Sequence, residues 1–400
     1  MKPFQGNFTL QEPIPEAAID AAVEVMRSGR LHRYNAAAEQ QSPVAALEAA
    51  YADYQGARFC LACASGGAAM ALALRAHGVG AGDKVLTNAF TLAPVPGAIA
   101  AVGAEAVLVE ITEDLVLDLS DLDAKIGASG ARTLLLSHMR GHLCDMEALC
   151  DLLTARGVTL IEDCAHTMGA SWNGRKSGNF GLAGCFSAQT YKHVNSGEGG
   201  LLTSDDPDFI ARAILLSGSY MLYDRHGAAP GPEAFASLRF DMPNMSSRMD
   251  NLRAAILLPQ ISTLDANVDR WNARYDLIAA RLAECPLLRV PHRPAPERYV
   301  GSSIQFRVPG ASADMLEAYV TKAAALGVDL KWFGRAEPVA FTSTHHSWRY
   351  VPAQSLPHTD RVLANLMDMR LPLTFSLEDC AHIADILVHC AQDLSLPGAA

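Results

Sequence analysis

Short apolar runs alternate with helical patterns between residues 55 and 205 of this 400-residue chain. Four of the runs have the length and composition of buried strands; they are Lys84–Thr87, Ala106–Glu110, Thr133–Ser137 and Val158–Asp163. Helix-like apolar spacing fills the gaps, near residues 67–77, 92–102 and 145–156. Because alternating strands and helices form a mostly parallel sheet covered on both faces, the pattern predicts an α/β fold. Ligands bind such sheets at the carboxyl ends of the strands.

A different pattern begins near residue 250. Apolar side chains recur there at spacings of three and four, which predicts one face of a long helix; they are Ile261, Leu264, Val268, Trp271, Tyr275, Ile278 and Leu282. We expect Pro259 to kink or start this helix. A strand at 303–308 and helices at 313–326 and 376–390 then predict a smaller α+β domain.

The length fits about two domains of 100–200 residues each. We expect residues 1–250 to form a large α/β domain with an N-terminal segment. Residues 251–400 would then form the linking helix and the small C-terminal α+β domain. Hydrophobic residues make up 50% of the chain and charged residues 19%, which is typical of folded globular domains.

Charge and cysteine usage narrow the class of protein. A net charge of −11 disfavours a nucleic-acid partner, because phosphate binding needs clustered lysine and arginine. No apolar run approaches the roughly 20 residues of a membrane helix, so no membrane partner is expected. Nine scattered cysteines and a start without an apolar signal favour the reducing cytoplasm. We interpret Cys60 and Cys63 as buried small residues.

Lys192 is the most informative residue of the chain. It stands among small, aromatic and hydroxyl residues and precedes a glycine-rich turn at 197–200. Desolvation lowers the pKa of a lysine and makes its amine a competent nucleophile. Such amines form Schiff bases with carbonyls, including the aldehyde of pyridoxal phosphate. Most lysines are solvated surface charges, so the prediction depends on the segments upstream.

Asp163 ends the predicted strand Val158–Asp163, at the edge where α/β sheets bind ligands. A carboxylate there could keep the pyridine nitrogen of pyridoxal phosphate protonated, so that the ring acts as an electron sink. Asp163 lies 29 residues before Lys192, which allows a loop and one more strand to bring both into one pocket. The alternative is an aspartate that caps the next helix.

Ser65, Gly66, Gly67 and Ala68 precede an apolar helix. Small residues at a helix start leave backbone N–H groups open to a phosphate, which the helix dipole also favours. The Ser65 hydroxyl could donate to the same phosphate, and Ser187 is a second candidate donor.

These segments, in this order, resemble the DegT/DnrJ/EryC1/StrS family of pyridoxal-phosphate-dependent sugar aminotransferases over most of the chain. The similar segments are Ser65–Ala69, Gly82–Thr87, His138–Met146, Glu162–Ala170, Phe186–Gly200 and Arg248–Ile256. The resemblance implies fold type I, with a mainly parallel sheet in the large domain. It also implies a homodimer in which the neighbouring subunit completes each active site.

The resemblance implies a role for each matching residue. Lys192 would hold the cofactor as a Schiff base and move the proton between substrate and cofactor. Asp163 would pair with the pyridinium nitrogen. His166, where the family usually has glutamine, would contact the ring hydroxyl or its neighbourhood. Ser187 and the backbone of residues 66–68 would hold the phosphate.

The chain departs from the family at several positions. Leu92 falls where an aromatic side chain usually stacks on the cofactor, and Phe90 could take that role instead. Ser246 aligns with an asparagine that reaches the partner's phosphate, although nearby Asn244 could serve. Arg140 replaces an aromatic residue. These departures leave the substrate more open than the cofactor.

The small domain concentrates aromatic and basic side chains that suit a sugar ring and its anionic groups; they are Trp332, Phe333, Arg335, His345, His346, Trp348, Arg349 and Tyr350. Of these, Trp332 and Arg335 join Arg140 and Arg248 as candidate substrate residues. The alternative is that Trp348 and Tyr350 are ordinary packing on a strand. No metal site is predicted, since His345 and His346 would face opposite ways on a strand.

The leading hypothesis is therefore an aminotransferase in amino-sugar biosynthesis. By the resemblance, L-glutamate or L-glutamine would give its nitrogen to a keto or aldehyde carbon of a sugar, expected to be nucleotide-linked. An aminocyclitol precursor is the alternative acceptor. A sugar dehydratase on the same fold is a further alternative, but those relatives have histidine in place of Lys192. The third reading is a regulator that binds pyridoxal phosphate without turnover.

Overall fold

The computed structural model describes residues 1–37 and 40–394. Its strands, in chain order, are β1 (Phe59–Cys63), β2 (Lys84–Asn88), β3 (Glu105–Val109), β4 (Thr133–Ser137), β5 (Thr159–Asp163), β6 (Ser171–Trp172), β7 (Arg175–Lys176), β8 (Ala183–Ser187), β9 (Gly200–Ser204), β10 (Glu297–Arg298), β11 (Ser303–Arg307), β12 (Lys331–Trp332) and β13 (Leu366–Arg370). Its α-helices are α1 (Glu16–Ser28), α2 (Pro43–Gln55), α3 (Gly66–His77), α4 (Pro94–Ala101), α5 (Leu119–Ser129), α6 (Met146–Arg156), α7 (Pro207–Gly218), α8 (Asn251–Ile261), α9 (Leu264–Ala283), α10 (Ala313–Ala325), α11 (Pro357–Leu363) and α12 (Leu377–Gln392).

The central sheet has seven strands in the order β1-β9-β8-β5-β4-β2-β3. Strand β9 is antiparallel to both β1 and β8, whereas the pairs from β8 to β3 are parallel. The mostly parallel α/β sheet predicted from the alternating pattern is thus confirmed. Two apolar clusters cover its two faces. The register pairs Ser137 of β4 with Asp163 of β5, which brings these side chains together at the carboxyl edge.

Asp145 and Gly157 cap the two ends of helix α6. The Asp145 carboxylate accepts a hydrogen bond of 3.0 Å from the Ala148 N–H at the start of α6. Gly157 ends that helix with φ of 63°, a backbone conformation that glycine adopts without strain. The bounds of α6 agree with the helix-like spacing expected near residues 145–156.

The predicted long helix is interrupted. Helix α8 ends at Ile261 and α9 begins at Leu264, so Ser262 and Thr263 separate two helices. Pro259 lies inside α8 and neither kinks nor starts α9, which corrects the expectation. The apolar face of α9 is buried as predicted; it comprises Leu264, Val268, Trp271, Tyr275, Ile278 and Leu282.

The C-terminal part has its own core around the three-stranded sheet β11-β13-β12 and helices α9, α10 and α12. The N-terminal segment joins this core, because the rings of Phe4 and Phe8 lie 5.0 and 4.9 Å from that of Phe375. The division of the chain at residue 250 stays a prediction. No helix within residues 1–37 and 40–394 has the length and apolar character needed to cross a bilayer.

Candidate active site

Asp163 occupies the carboxyl edge of β5, where it is almost completely buried. Its two carboxylate oxygens accept hydrogen bonds from the Ser137 hydroxyl (2.9 Å) and the Ala165 N–H (3.1 Å). Burial raises the pKa of Asp163, while these donors and the Lys192 amine act in the opposite direction. No helix follows within residues 164–170, so the helix-cap alternative does not hold.

Glu162, the neighbour of Asp163, serves the scaffold. Its carboxylate oxygens lie 2.9 Å from His138 Nε2 and accept hydrogen bonds from the N–H groups of Gly178, Phe180 and Gly181. Since these partners satisfy the buried charge, Glu162 fixes the turn before β8. The two adjacent carboxylates thus point to opposite sides of the strand. Of the two, only Asp163 points toward the site.

Lys192 lies in the turn that joins the antiparallel strands β8 and β9. Its N–H donates to the Gln189 carbonyl (2.8 Å), which closes a tight turn around the residue. The side chain is largely buried, and its Nζ lies 2.9 Å from His166 Nε2. Burial lowers the pKa of Lys192 to about 7; the Asp163 carboxylate opposes this shift, and the guanidinium groups of Arg140 and Arg370 add to it. The amine is therefore substantially neutral near pH 7.

Hydrogen bonding assigns the tautomer of His166. The Arg140 N–H donates to His166 Nδ1 (3.3 Å), so a neutral imidazole carries its proton on Nε2. That proton can be donated to Lys192 only if the amine is neutral. A charged Lys192 would need Nε2 as an acceptor, which the same tautomer does not offer. Burial, followed by the charges of Lys192 and Arg140, holds the pKa of His166 well below its ordinary value.

The start of α3 meets the end of β8 beside this pair. The Ser65 hydroxyl caps the helix by accepting from the Ala68 N–H (3.1 Å), so these two groups already satisfy each other. The N–H groups of Gly66 and Gly67 belong to the first turn, which has no intrahelical partners. A Cβ atom at Gly66 would lie 2.9 Å from the Cβ of Ser187. Glycine thus keeps a small-residue cradle open at this helix end.

A cavity of about 420 Å³ opens above Lys192 and His166. Leu92 lines it. Phe90 is instead buried in a separate apolar cluster, where its ring meets that of Phe333 edge to face at 5.2 Å. The structure therefore brings Leu92, and not Phe90, to the side of the cavity.

We call the strand-edge residues Ser137, Asp163, His166, Ser187 and Lys192 the floor of the site. The opposite wall, which we call the roof, comes from the C-terminal part of the chain. Its members are Lys331, Phe341, Asp368 and Arg370. Sequence reasoning missed all four, although Arg370 at the end of the apolar strand β13 was a usable signal.

Arg140, predicted as a substrate residue, lines the cavity between floor and roof. Its Nη2 lies 2.8 Å from Asp368 Oδ2 in a buried ion pair whose geometry completes no hydrogen bond. Arg140 Nε also lacks a hydrogen-bond partner among the residues that the structure describes. The Phe341 ring lies 4.9 Å from the Arg140 guanidinium and 4.8 Å from that of Arg370. Arg370 also lies 3.5 Å from the Tyr191 ring, so aromatic faces orient both cations.

The N-terminal segment also reaches the cavity. Phe8, Thr9 and Gln11 line it from one side, together with Trp271 of α9. Nothing in the local sequence pattern around residues 8–11 marks this role, which depends on the packing of Phe4 and Phe8 into the C-terminal core.

Two predicted substrate residues of the small domain lie away from the cavity. Trp332 is buried on β12, and its Nε1–H donates to the Ala364 carbonyl (2.8 Å). Arg335 pairs with Glu317 on the surface (2.7 Å) and lines a different cavity of about 610 Å³. Both side chains point away from Lys192. Their direction follows from the packing of the C-terminal part of the chain, which residue types alone do not predict.

Asn244, Ser246 and Arg248 occupy a surface segment and do not line the Lys192 cavity of their own chain. The Asn244 Oδ1 accepts from the Ser246 N–H (2.9 Å), and the Arg248 guanidinium donates to the Gly218 carbonyl (3.0 Å). The segment passes beside the end of β1, because the Ala64 N–H donates to the Ser247 carbonyl (2.9 Å).

His345 and His346 do not lie on a strand. They form a short 3₁₀ helix, and the Nε2 atoms of both rings lie within hydrogen-bond distance of the same Asp360 oxygen. The premise that these side chains face opposite ways is therefore wrong. Trp348 is buried in an apolar cluster and Tyr350 is half exposed, and neither is on a strand.

Comparison with known proteins agrees with this architecture. A sequence model of the DegT/DnrJ/EryC1/StrS aminotransferase family matches residues 14–388. L-glutamine:scyllo-inosose aminotransferase of Streptomyces griseus is 30% identical over 77% of this chain and 69% of its own length. GDP-perosamine synthase of Caulobacter vibrioides is 32% identical over 59% of this chain and 62% of its own length. The crystal structure of 3-amino-5-hydroxybenzoic acid synthase superposes with a TM-score of 0.83 at 23% identity, covering 98% of this chain and 100% of that one.

Proposed function

The chain belongs to the DegT/DnrJ/EryC1/StrS aminotransferase family, and from this membership we propose that it aminates a keto carbon of a sugar or cyclitol, with pyridoxal phosphate held at Lys192. It is an aminotransferase on the fold type I scaffold. The observation that carries the proposal is the buried Lys192 amine, which has a pKa of about 7 and lies 2.9 Å from a tautomer-fixed His166.

The residues present fit pyridoxal phosphate at three points. Lys192 supplies a substantially neutral amine for the aldehyde. Asp163 supplies a buried carboxylate at the strand edge for the pyridinium nitrogen. Gly66 and Ser187 border a cradle at the start of α3, where free N–H groups and the helix dipole suit a phosphate. Leu92 takes the position beside the ring in this proposal, because Phe90 is occupied elsewhere.

When bound, the cofactor takes up an amino group from a donor and returns it to a carbonyl carbon, with its ring as electron sink. The chain's own residues supply the proton handling. Lys192 Nζ can accept a proton from a substrate carbon because burial keeps a large share of the amine neutral near pH 7. His166 Nε2 keeps that amine oriented, and Asp163 holds a positive charge at the ring nitrogen. The roof borders the cavity on the side opposite Lys192.

The positions of Arg140 and Arg370 suit the binding of substrates that carry anionic groups. Both cations border the cavity; Arg140 is buried, and its Nε and Nη2 donors complete no hydrogen bond within the described residues, although Nη2 is ion-paired with Asp368. A carboxylate or phosphate would satisfy those donors at little desolvation cost, since the chain has already buried them. Every amino-acid donor carries such a carboxylate. We propose L-glutamine or L-glutamate as donor, supported by the name of the Streptomyces griseus relative.

The acceptor in this proposal is a keto-sugar, nucleotide-linked or free, or a keto-cyclitol. The names of the two relatives support these two classes.

We further propose a homodimer in which Asn244 or Ser246 reaches the partner's phosphate cradle. Both side chains are exposed and lie away from the cavity of their own chain, which supports this proposal. The nine cysteines are unpaired, which supports the expected cytoplasmic location.

The test is a visible absorption spectrum of the full chain reconstituted with pyridoxal phosphate. We expect a yellow band that bleaches on addition of L-glutamine or L-glutamate and returns on addition of a suitable keto-sugar or keto-cyclitol. Lys192→Ala should not form the lysine-linked band, whereas Lys331→Ala, which removes another cavity amine, should keep it. A chain that takes up no cofactor would contradict the proposal.

The spectrum also separates the alternatives. A yellow protein indifferent to every amino donor would favour the regulator, whereas bleaching by a donor excludes it. Loss of a sugar hydroxyl without amination would favour the dehydratase. The Lys192 amine argues against the latter, because a dehydratase of the expected kind has histidine at this position.

A further inference from the structure

We propose that His345, His346 and Asp360 form a binding site for one transition-metal dication of the zinc class. The site lies in the small domain, outside the Lys192 cavity. It does not depend on the proposed aminotransferase reaction, and no part of that reaction uses these residues.

The three side chains converge on one point. His345 Nε2 lies 2.7 Å and His346 Nε2 2.9 Å from Asp360 Oδ1. The imidazole rings are 3.9 Å apart between centroids, tilted by 37°. All three candidate ligand atoms lie within 4.8 Å of one another. Both histidines thus present the same nitrogen to one carboxylate oxygen.

Local structure holds this arrangement in place. A capping box between Thr344 and Ser347 fixes the 3₁₀ turn that carries both histidines. Trp348 anchors the turn, since it is buried and its Nε1–H donates to the Ser343 hydroxyl (3.2 Å). Asp360 stands in the first turn of α11, so a helix supports the third ligand. Local hydrogen bonds therefore hold the two histidines on one side of the site, and a separate helix carries the aspartate.

The donor set suits a zinc-class ion. Two imidazole nitrogens and one carboxylate oxygen match the ligands that Zn²⁺, Ni²⁺ and Cu²⁺ take in proteins. Tetrahedral ligands at about 2.0–2.1 Å from the metal stand about 3.3 Å apart, so each nitrogen would move roughly half an ångström from the carboxylate oxygen. The His346 side chain is 66% exposed and can make that adjustment. Metal binding would replace two hydrogen bonds by coordination and neutralise the Asp360 charge.

A fourth ligand position is open on the solvent side. His346 and Asp360 both line the cavity of about 610 Å³ that also contains Arg335 and Arg349. Water or a small anion can reach a metal from there, as in sites with three protein ligands. His345 closes the opposite side, because its side chain is only 3% exposed.

The segment that carries the histidines also forms part of the roof. Ala340 and Phe341 line the Lys192 cavity, whereas Thr342, Thr344 and His346 line the second cavity. A metal that joins the 3₁₀ turn to α11 would therefore restrict the motion of the segment carrying Phe341. We include this restriction in the proposal.

The test is a calorimetric titration of the chelator-treated full chain with ZnCl₂, with Co²⁺ as a spectroscopic substitute. We expect one Zn²⁺ per chain and a Co²⁺ visible band typical of low coordination number. His346→Ala, at an exposed position that the fold tolerates, should weaken Zn²⁺ binding by at least about tenfold. Asp360→Asn should do the same. His292→Ala is the matched control, because it removes another exposed imidazole and should change neither signal.

Three results would overturn the proposal. The first is an absence of Zn²⁺ binding by the unaltered chain. The second is binding that His346→Ala and Asp360→Asn leave unchanged, which would place the metal on other ligands. The third concerns the roof: hydrogen exchange of residues 337–349 should slow on Zn²⁺ addition in the unaltered chain and not in His346→Ala. Equal exchange with and without Zn²⁺ would refute the restriction of this segment.

Discussion

The floor and the roof of the active-site cavity differ in how the chain builds them. Floor residues follow the ends of neighbouring parallel strands between residues 137 and 192, and hydrogen bonds to backbone or to one another fix them. Roof residues come from three separate segments between residues 331 and 370, and aromatic contacts with Phe341 and Tyr191 orient the cations at the cavity. The floor is thus held by hydrogen bonds at strand ends, whereas the roof brings charged and aromatic side chains from separate segments over the cavity. We therefore expect turnover to depend mainly on the floor and substrate affinity mainly on the roof.

The largest expected effect is that of Lys192→Ala on the floor. Loss of the amine should lower turnover by at least about 10²–10⁴-fold, because the proposal assigns both cofactor attachment and proton transfer to Lys192. The fold should survive, since burial makes the lysine charge costly near neutral pH. Turnover under saturating substrate, with circular dichroism as the control for folding, measures this. Near-normal turnover would refute Lys192 as the reacting amine.

Asp163→Asn should come next. It keeps the hydrogen bond with Ser137 but removes the negative charge, so we expect turnover to fall by about 10²–10³-fold. Cofactor affinity, measured by equilibrium dialysis, should change much less. If affinity fell as strongly as turnover, Asp163 would act mainly in binding the cofactor.

On the roof, Arg370→Gln should act on affinity. Removing a charged partner of a substrate anion should raise KM for the amino donor by about 10–150-fold, the equivalent of one charge-assisted hydrogen bond. Turnover at saturation should change far less. Arg335→Gln is the matched control, because its side chain pairs with Glu317 outside this cavity. An equal fall in kcat would place Arg370 in the chemistry of the floor.

The smallest expected effect concerns the pH at which Lys192 captures the cofactor. A charge in the roof shifts the pKa of this floor residue. Capture of pyridoxal phosphate by the cofactor-free chain needs the neutral Lys192 amine, so its rate should rise with pH through a pKa of about 7. Arg370 lowers this pKa, and Arg370→Gln should therefore move the midpoint to higher pH by less than about 1 unit. Asp163→Asn should move it to lower pH, because the carboxylate raises the pKa. Stopped-flow absorbance across pH 5–9, roughly two units either side of that pKa, measures both shifts. Shifts of the same sign would contradict the electrostatic account.

The same contrast explains what the sequence could predict. Asp163 was found because it ends a recognisable strand, and a parallel sheet gathers strand ends on one edge. Lys192 was found from its small, aromatic and hydroxyl neighbours and the glycine-rich turn after it, and His166 from the resemblance to the family. Arg370 and Phe341 were missed because no local pattern records that the small domain folds over the sheet. Trp332 and Arg335 were chosen by residue type, which does not give the direction of a side chain.

Two local errors have equally physical causes. The spacing of three between Ile261 and Leu264 continues the apolar face across the break between α8 and α9, so periodicity alone cannot reveal the interruption. The prediction for His345 and His346 assumed that side chains alternate between two faces, as they do along a strand. In a 3₁₀ turn the successive side chains need not diverge by that angle, and here both reach Asp360.

The packing of Phe4 and Phe8 against Phe375 has a consequence for biosynthesis. Phe4 and Phe8 receive Phe375 as their partner only after more than about 360 further residues have been made. At translation rates of about 5–20 residues per second, these aromatic side chains wait roughly 20–70 seconds. During that time the emerging chain can complete the central sheet, but it cannot close the cavity side lined by Phe8. Closure of this side of the cavity is thus a late event of synthesis, and a bulky group attached beside Phe4 should delay it more than one attached at a surface loop.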